Sequence, residues 1–133
     1  MTKFKKENKK QKEDLLCPVK YLLQVLGGRW KLPILCILET GGTVRFGQIK
    51  KKLGGVSNVM LSQSLRELER DGIIIRHQYN EVPPHVDYTM TGKGKSVIPA
   101  LDMLGTWAKG YMKEENIYPE CEECLSDIEK GNK

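Results

Sequence analysis

The sequence predicts an α+β fold that is mostly helical, and three observations carry the prediction. Apolar residues recur at helical spacing in five stretches, glycine pairs at 27–28, 41–42 and 54–55 cut the first three of them, and a β-branched run is followed by a two-proline loop and an alternating segment. At 133 residues there is room for one domain of ordinary size. With 39% hydrophobic and 29% charged residues, the chain is apolar enough to bury one modest core and too apolar to be wholly disordered.

The first helix is predicted over 18–26, where Val19, Leu22, Leu23, Val25 and Leu26 fall at helical spacing. Pro18 suits its first turn and Gly27-Gly28 its end. RWKLPILCILETGG is apolar all round, as in a helix enclosed by others; Pro33 is tolerable in its first turn, and Gly41-Gly42 stops it. Thr43-Val44-Arg45 leans to β structure, after which RFGQIKKKL sets Phe46, Ile49 and Leu53 on one helical face with Lys50, Lys51 and Lys52 largely outside. Gly54-Gly55 turns the chain, and Ser57 is placed to cap the helix SNVMLSQSLRELERDG. There Leu61, Leu65 and Leu68 point inward, which turns Val59, Met60, Gln63, Arg66 and Arg70 outward. Gly72 closes that helix, IIIRHQY reads as a strand, 80–84 as a loop, and His85 to Met90 as a return strand alternating in and out. Thr91 is expected to cap one last long helix, roughly 92–115, with Val97, Leu101, Leu104, Trp107, Ala108 and Tyr111 as its apolar stripe.

The net charge of +5 admits a polyanionic partner, and its distribution is uneven: +3 in 1–14, +4 in 45–80 and −4 in 113–133. Residues 1–14 are too polar to offset their ordering entropy and are expected to form a disordered basic arm, 15–115 the domain, and 116–133 an acidic tail. No apolar segment follows the arm as it would in a signal peptide, and the longest apolar run, Leu32 to Leu38, is far short of the roughly 20 residues that cross a bilayer. The expectation is a cytoplasmic, nucleoid-associated protein with no membrane partner.

Four cysteines in such a chain point to free, redox-active or metal-bound thiols rather than a disulfide framework. Cys36 reads as an inert core thiol. Cys121 and Cys124 have the spacing of half a zinc site or of a redox pair, but their flanks are acidic and no second pair exists, so no metal and no cofactor is expected and these two are the only metal candidates. Gly94-Lys95-Ser96 resembles the end of a phosphate-binding loop, yet Thr89 stands where its first glycine belongs. No Ser-His-Asp or paired-carboxylate arrangement is present, and the chain is not expected to be an enzyme.

Two short helices joined by a glycine-containing turn and followed by a hairpin describe a winged helix-turn-helix. The segments CPVKYLLQVLGGRWKLPILCIL, RFGQIKKKLGGVSNVMLSQSLRELERDGII and RHQYNEVPPHVDYTMTGKGK resemble the successive signatures of HxlR-type transcriptional regulators, over roughly residues 15–115. The resemblance implies a sequence-specific regulator of double-stranded DNA, working as a homodimer whose N- and C-terminal helices form the dimer interface. Helices 18–26 and 96–112 also carry more apolar surface than a small head can bury. On this footing helix 57–71 enters the major groove and offers Asn58, Val59, Ser62, Gln63 and Arg66 to base edges and phosphates, Gln63 suiting adenine and Arg66 guanine or phosphate. Arg76, His77 and His85 of the wing would lie at the flanking minor groove or backbone, and Lys50, Lys51, Lys52 and Ser57 would hold phosphates. Two heads about 34 Å apart would prefer an inverted repeat. Val59 and His85 stand where the family often has basic residues, which leaves one contact missing or replaced by a thymine-methyl contact and weakens the wing's grip.

A subset of the family uses a cysteine at the Cys-Pro position, here Cys17, as a thiol sensor that forms an intersubunit or mixed disulfide. A helix N-terminus and Lys20 one turn on surround this thiol with positive potential, the setting in which cysteines are reactive. Plainer roles stay open beside these: a packing role at the dimer interface for Cys17, a solvated helix face for the lysine run, pairing with Glu67, Glu69 or Asp71 for Arg66 and Arg70, and wing surface for the histidines. A second functional class also stays open, a thiol- or metal-dependent sensor using Cys121 and Cys124 with the winged head serving protein contacts. A third is a nonspecific architectural DNA binder.

Overall fold

The computed structural model describes residues 17–117, so the predicted arm, most of the tail, Cys121 and Cys124 lie outside the described residues. The elements in order are α1 (Pro18–Leu26), α2 (Lys31–Gly41), β1 (Val44–Arg45), α3 (Phe46–Leu53), α4 (Asn58–Arg70), β2 (Ile74–Tyr79), β3 (His85–Met90), α5 (Gly92–Ser96) and α6 (Ile98–Glu114). The three strands form one antiparallel sheet in the order β1-β3-β2. The long β2–β3 hairpin is the wing, and β1 covers the inner edge of β3 through the pairs Val44↔Tyr88 and Arg45↔Asp87.

Each boundary has a local cause. Pro33 is the third residue of α2, and the first helical bond runs from Ile34 N–H to the Trp30 carbonyl at 3.0 Å, so the missing proline N–H removes nothing. The turn between α3 and α4 uses Gly54 and Gly55 at φ 65° and 80°, conformations that a side chain would strain, and the buried Val56 pins it to the core. At the end of α4, Ile73 N–H bonds the Leu68 carbonyl at 2.9 Å and Gly72 N–H the Glu69 carbonyl at 3.0 Å, a Schellman closure with Gly72 at φ 77°. Thr91 Oγ1 accepts from Gly94 N–H at 3.0 Å and donates to the Gly72 carbonyl at 2.6 Å, which ties the start of α5 to the root of the wing.

The core joins α2, α3, α4 and the sheet. Ile34, Leu35, Leu38, Ile49, Leu61, Leu65, Leu68 and Ile74 are fully enclosed. The inward sets of α3 and α4 are as the spacing predicts, with Phe46 and Leu53 packed at the rim.

Three features differ from the sequence expectation. The last helix is broken between Ser96 and Ile98, because Pro99 has no N–H to continue the ladder and restarts the helix as its second residue. β3 does not alternate cleanly: Asp87 and Tyr88 are both buried, since β3 is the central strand and is covered by β1 as well as β2. Cys36 is half-buried, at the rim of the core rather than within it. Gly94 has a packing cause of its own, since a Cβ there would collide with the Ile73 carbonyl oxygen, which accounts for the phosphate-loop look-alike.

Candidate nucleic-acid interface

Helix α4 is held by its apolar face and capped at its start. Ser57 Oγ accepts from Met60 N–H at 3.1 Å, satisfying one of the donors that a helix N-terminus leaves unpaired. With Leu61, Leu65 and Leu68 locked into the core, rotation about the helix axis is fixed, and Asn58, Val59, Gln63 and Arg66 are exposed on the far side. Val59 is 74% exposed although apolar. Ser62 is half-buried and Met60 shares the exposed face.

The lysine run occupies the last turn of α3, where positive charge complements the carbonyl end of the helix. Lys51 and Lys52 are exposed and Lys50 is half-buried, all just before the turn that leads into α4. The helix that exposes Asn58, Gln63 and Arg66 is therefore entered from a basic turn.

The wing divides its residues between two faces. Alternation places Ile74, Arg76 and Gln78 on one face with Met90, Tyr88 and Val86, and Ile75, His77 and Tyr79 on the other with Thr89, Asp87 and His85. The first face is the core side, and there Arg76 lies beside the Tyr88 hydroxyl. Burial pushes the Tyr88 hydroxyl pKa up, while the Arg76 guanidinium next to it pulls the other way; of the charges on α4, Glu69 adds to the rise and Arg66 opposes it. On the second face His85 stacks on Tyr79 with ring centroids 4.4 Å apart, and its Nδ1 lies 3.8 Å from Glu81 Oε1. His77 Nδ1 lies 3.7 Å from the buried Oδ1 of Asp87, which has no hydrogen-bond partner among the described residues. The two histidines are therefore separated from Arg76 by the thickness of the hairpin.

Sequence reasoning missed a chain of contacts beneath α4. Lys31, only 8% exposed in its side chain, reaches Glu67 Oε1 at 2.8 Å, and Gln63 Nε2 donates to Glu67 Oε2 at 3.2 Å. Lys31, and after it the Gln63 amide, hold the Glu67 carboxyl below the usual glutamate range. Arg70 pairs with Asp71 through two bonds of 3.2 and 3.1 Å, so Arg70 is engaged as the plainer reading had it. No local signal marks the Lys31–Glu67 pair, because its members are far apart in sequence; only the oddity of a lysine inside an apolar helix hints at it.

Cys17 is exposed and occupies the N-cap position of α1, with its carbonyl accepting from Tyr21 N–H at 3.0 Å. Around it Val19, Tyr21, Leu22 and Leu23 are exposed, and on α6 so are Met103, Leu104, Trp107 and Tyr111. Leu101, Val97 and Ala108 of the predicted stripe are partly covered. Helices α1 and α2 bend by 70° at their junction, and among the described residues no single helix is long and apolar enough to cross a membrane. Among the same residues no group of three or more His, Cys, Asp or Glu is placed to hold a metal ion.

A capped helix with an exposed polar face, preceded by a basic helix and a tight turn and followed by a hairpin, defines a winged helix-turn-helix of the DNA-binding regulators. Residues 25–116 match the model of the HxlR-like helix-turn-helix family, and the chain belongs to that family. It is a transcriptional regulator of the helix-turn-helix type. It is 46% identical over 99 residues to a helix-turn-helix transcriptional regulator of Methanothermobacter thermautotrophicus, an alignment that covers 74% of this chain and 75% of that one. The solved structure of the YtcD regulator superposes with a TM-score of 0.70 at 41% identity, covering 74% of this chain and 99% of the other. The oxidised form of the redox regulator HypR superposes with a TM-score of 0.66 at 35% identity, covering 71% and 96%. These relatives are all described as regulators.

Proposed function

We propose that the protein binds an inverted repeat in double-stranded DNA as a homodimer, residues 15–115 being the working unit between the basic arm and the acidic tail. The observation that carries the proposal is the outward face of α4, fixed in rotation by three enclosed leucines and exposing Asn58, Val59, Gln63 and Arg66. In the major groove Gln63 reads adenine, Arg66 reads guanine or holds a phosphate, Ser62 and Asn58 supply polar contacts, and Val59 meets a thymine methyl. Lys50, Lys51 and Lys52 hold phosphates on one side of the turn, and the Ser57 hydroxyl, whose oxygen caps the helix, still has a proton to donate to one. Arg76 meets the backbone or flanking minor groove from one face of the wing, and His77 and His85 from the other. The partner subunit covers the exposed apolar faces of α1 and α6.

Redox control through Cys17 is part of the proposal. Two such thiols, one per protomer, give up two electrons and two protons to a hydroperoxide, which leaves as an alcohol and water, and form an intersubunit disulfide that repositions the heads. The exposed thiol on an apolar, partner-seeking helix supports this, as does similarity to HypR, a redox regulator solved in oxidised and reduced forms.

Fluorescence anisotropy with the duplex upstream of its own coding sequence and with a scrambled duplex, over a salt series and with and without oxidant, tests both parts. Expected are a steep loss of affinity with salt, a clear preference for the upstream duplex, and an oxidant effect that disappears in Cys17→Ser. Equal affinity for both duplexes contradicts sequence-specific regulation, and an oxidant effect that survives Cys17→Ser contradicts the thiol switch.

A further inference from the structure

We propose that Lys31 and Glu67 are positioning residues for base readout: Lys31 anchors the Glu67 carboxylate, and that carboxylate holds the Gln63 amide with its nitrogen turned along the helix toward Glu67 and its oxygen left for the duplex. The proposal rests on the reading of Gln63 as a base contact and adds what decides which base it reads.

The chemistry follows from the donor inventory. A carboxylate only accepts, so of the two ends of the Gln63 amide only the NH2 can face Glu67, and it does so at 3.2 Å. The carboxylate is not free to turn away, because its other oxygen is 2.8 Å from the ammonium of Lys31, which is almost enclosed at the first residue of α2. A buried ammonium released from its partner would be left without compensation, so the pair holds its place. Gln63 then presents outward its amide oxygen and one remaining N–H. That is the acceptor and donor couple that adenine satisfies with its N6 amino group and N7, and that guanine, with two acceptors on the same edge, does not.

Replacing Glu67 by its uncharged isostere reverses the logic. In Glu67→Gln the new amide gives its oxygen to Lys31 and turns its NH2 toward Gln63. Donor would face donor, so the Gln63 amide turns over, gives its oxygen to the new amide and offers two N–H groups outward, which match N7 and O6 of guanine. A residue that merely stiffened α4 would lower affinity for every sequence alike; a positioning residue changes which base is preferred at one place.

The test is selection of bound duplexes from a fully randomised library by the full-length wild-type protein, Gln63→Ala, Glu67→Gln and Lys31→Met. The wild type is expected to prefer A·T at one position per half-site, Gln63→Ala to lose that preference alone, and Glu67→Gln to move it toward G·C with the other positions unchanged. Lys31→Met, which frees the carboxylate without reversing it, lowers discrimination at the same position by about fivefold. If Gln63→Ala leaves every preference intact, the base-reading role of Gln63 is wrong and the proposal falls with it. If Gln63→Ala erases the A·T preference while Glu67→Gln and Lys31→Met both keep it at wild-type strength, Gln63 reads the base unaided and the positioning proposal alone is overturned. Thermal melts identify a variant that does not fold, in which case the other of the two decides.

Discussion

In α4 the three inward leucines, Leu61, Leu65 and Leu68, are at most 1% exposed, whereas on α6 Leu104, Trp107 and Tyr111 form the same kind of stripe and are 57%, 67% and 54% exposed. Both helices carry helical apolar periodicity, but among the described residues only one finds its cover. The winged head is closed by its own residues; the flanking helices α1 and α6 carry apolar surface that no other described residue covers. An apolar stripe therefore predicts that a face wants burial, and not where the burial comes from.

Substitutions that separate the two regions test this difference, and the largest effect belongs to the head. Leu65→Ala removes a fully enclosed side chain and is expected to cost about 2–5 kcal/mol of folding stability, measured by urea denaturation. Leu104→Ala should leave the same measurement on the isolated protomer nearly unchanged; equal losses at both positions would erase the distinction. Next, the double variant Leu104→Asp, Trp107→Asp is expected to weaken self-association by about 2 kcal/mol or more while the far-ultraviolet spectrum keeps its helical form, read by sedimentation equilibrium. An unaltered association constant would contradict the proposed dimer interface on α6.

Within the head, Arg66→Ala should weaken binding to the preferred duplex by about 1–3 kcal/mol in anisotropy titrations, with little change in melting temperature. Ser57→Ala is expected to cost about 1 kcal/mol of stability through the lost bond to Met60 N–H. The smallest effect concerns pH. The Glu67 carboxyl is held below its ordinary value chiefly by Lys31, so the pair stabilises the fold at neutral pH and that contribution is lost as pH falls below about 4.5 and through the depressed value. Glu67→Gln should flatten the acid limb of the stability curve without altering its alkaline side.

Much of the fold was legible because its cues are local. Helical periodicity, the Gly54-Gly55 turn, the Ser57 and Thr91 caps and the Pro83-Pro84 loop each act within a few residues, and each holds. The break between α5 and α6 also has a local cue, Pro99, which the apolar stripe running from Val97 to Tyr111 does not show. What was not legible depends on partners distant in sequence. Asp87 and Tyr88 are both buried because β1 arrives from residues 44–45, and Gln63 is oriented from residue 31 by way of Glu67. The outward residues of α4 were assigned correctly as a face, since three leucines fix its rotation. The separation of Arg76 from His77 and His85 followed from strand alternation and was available in the sequence, but the stack of His85 on Tyr79 needed the register.

Hydroxyl-radical footprinting on the duplex upstream of the coding sequence tests the two regions together, since in the proposed dimer the heads would make the contacts and the flanking helices would set their spacing. Two protected patches related by a twofold axis and centred about one helical turn, ~34 Å, apart are expected. A single patch, or cleavage protected evenly along the duplex, would contradict a dimer that places two reading helices on an inverted repeat.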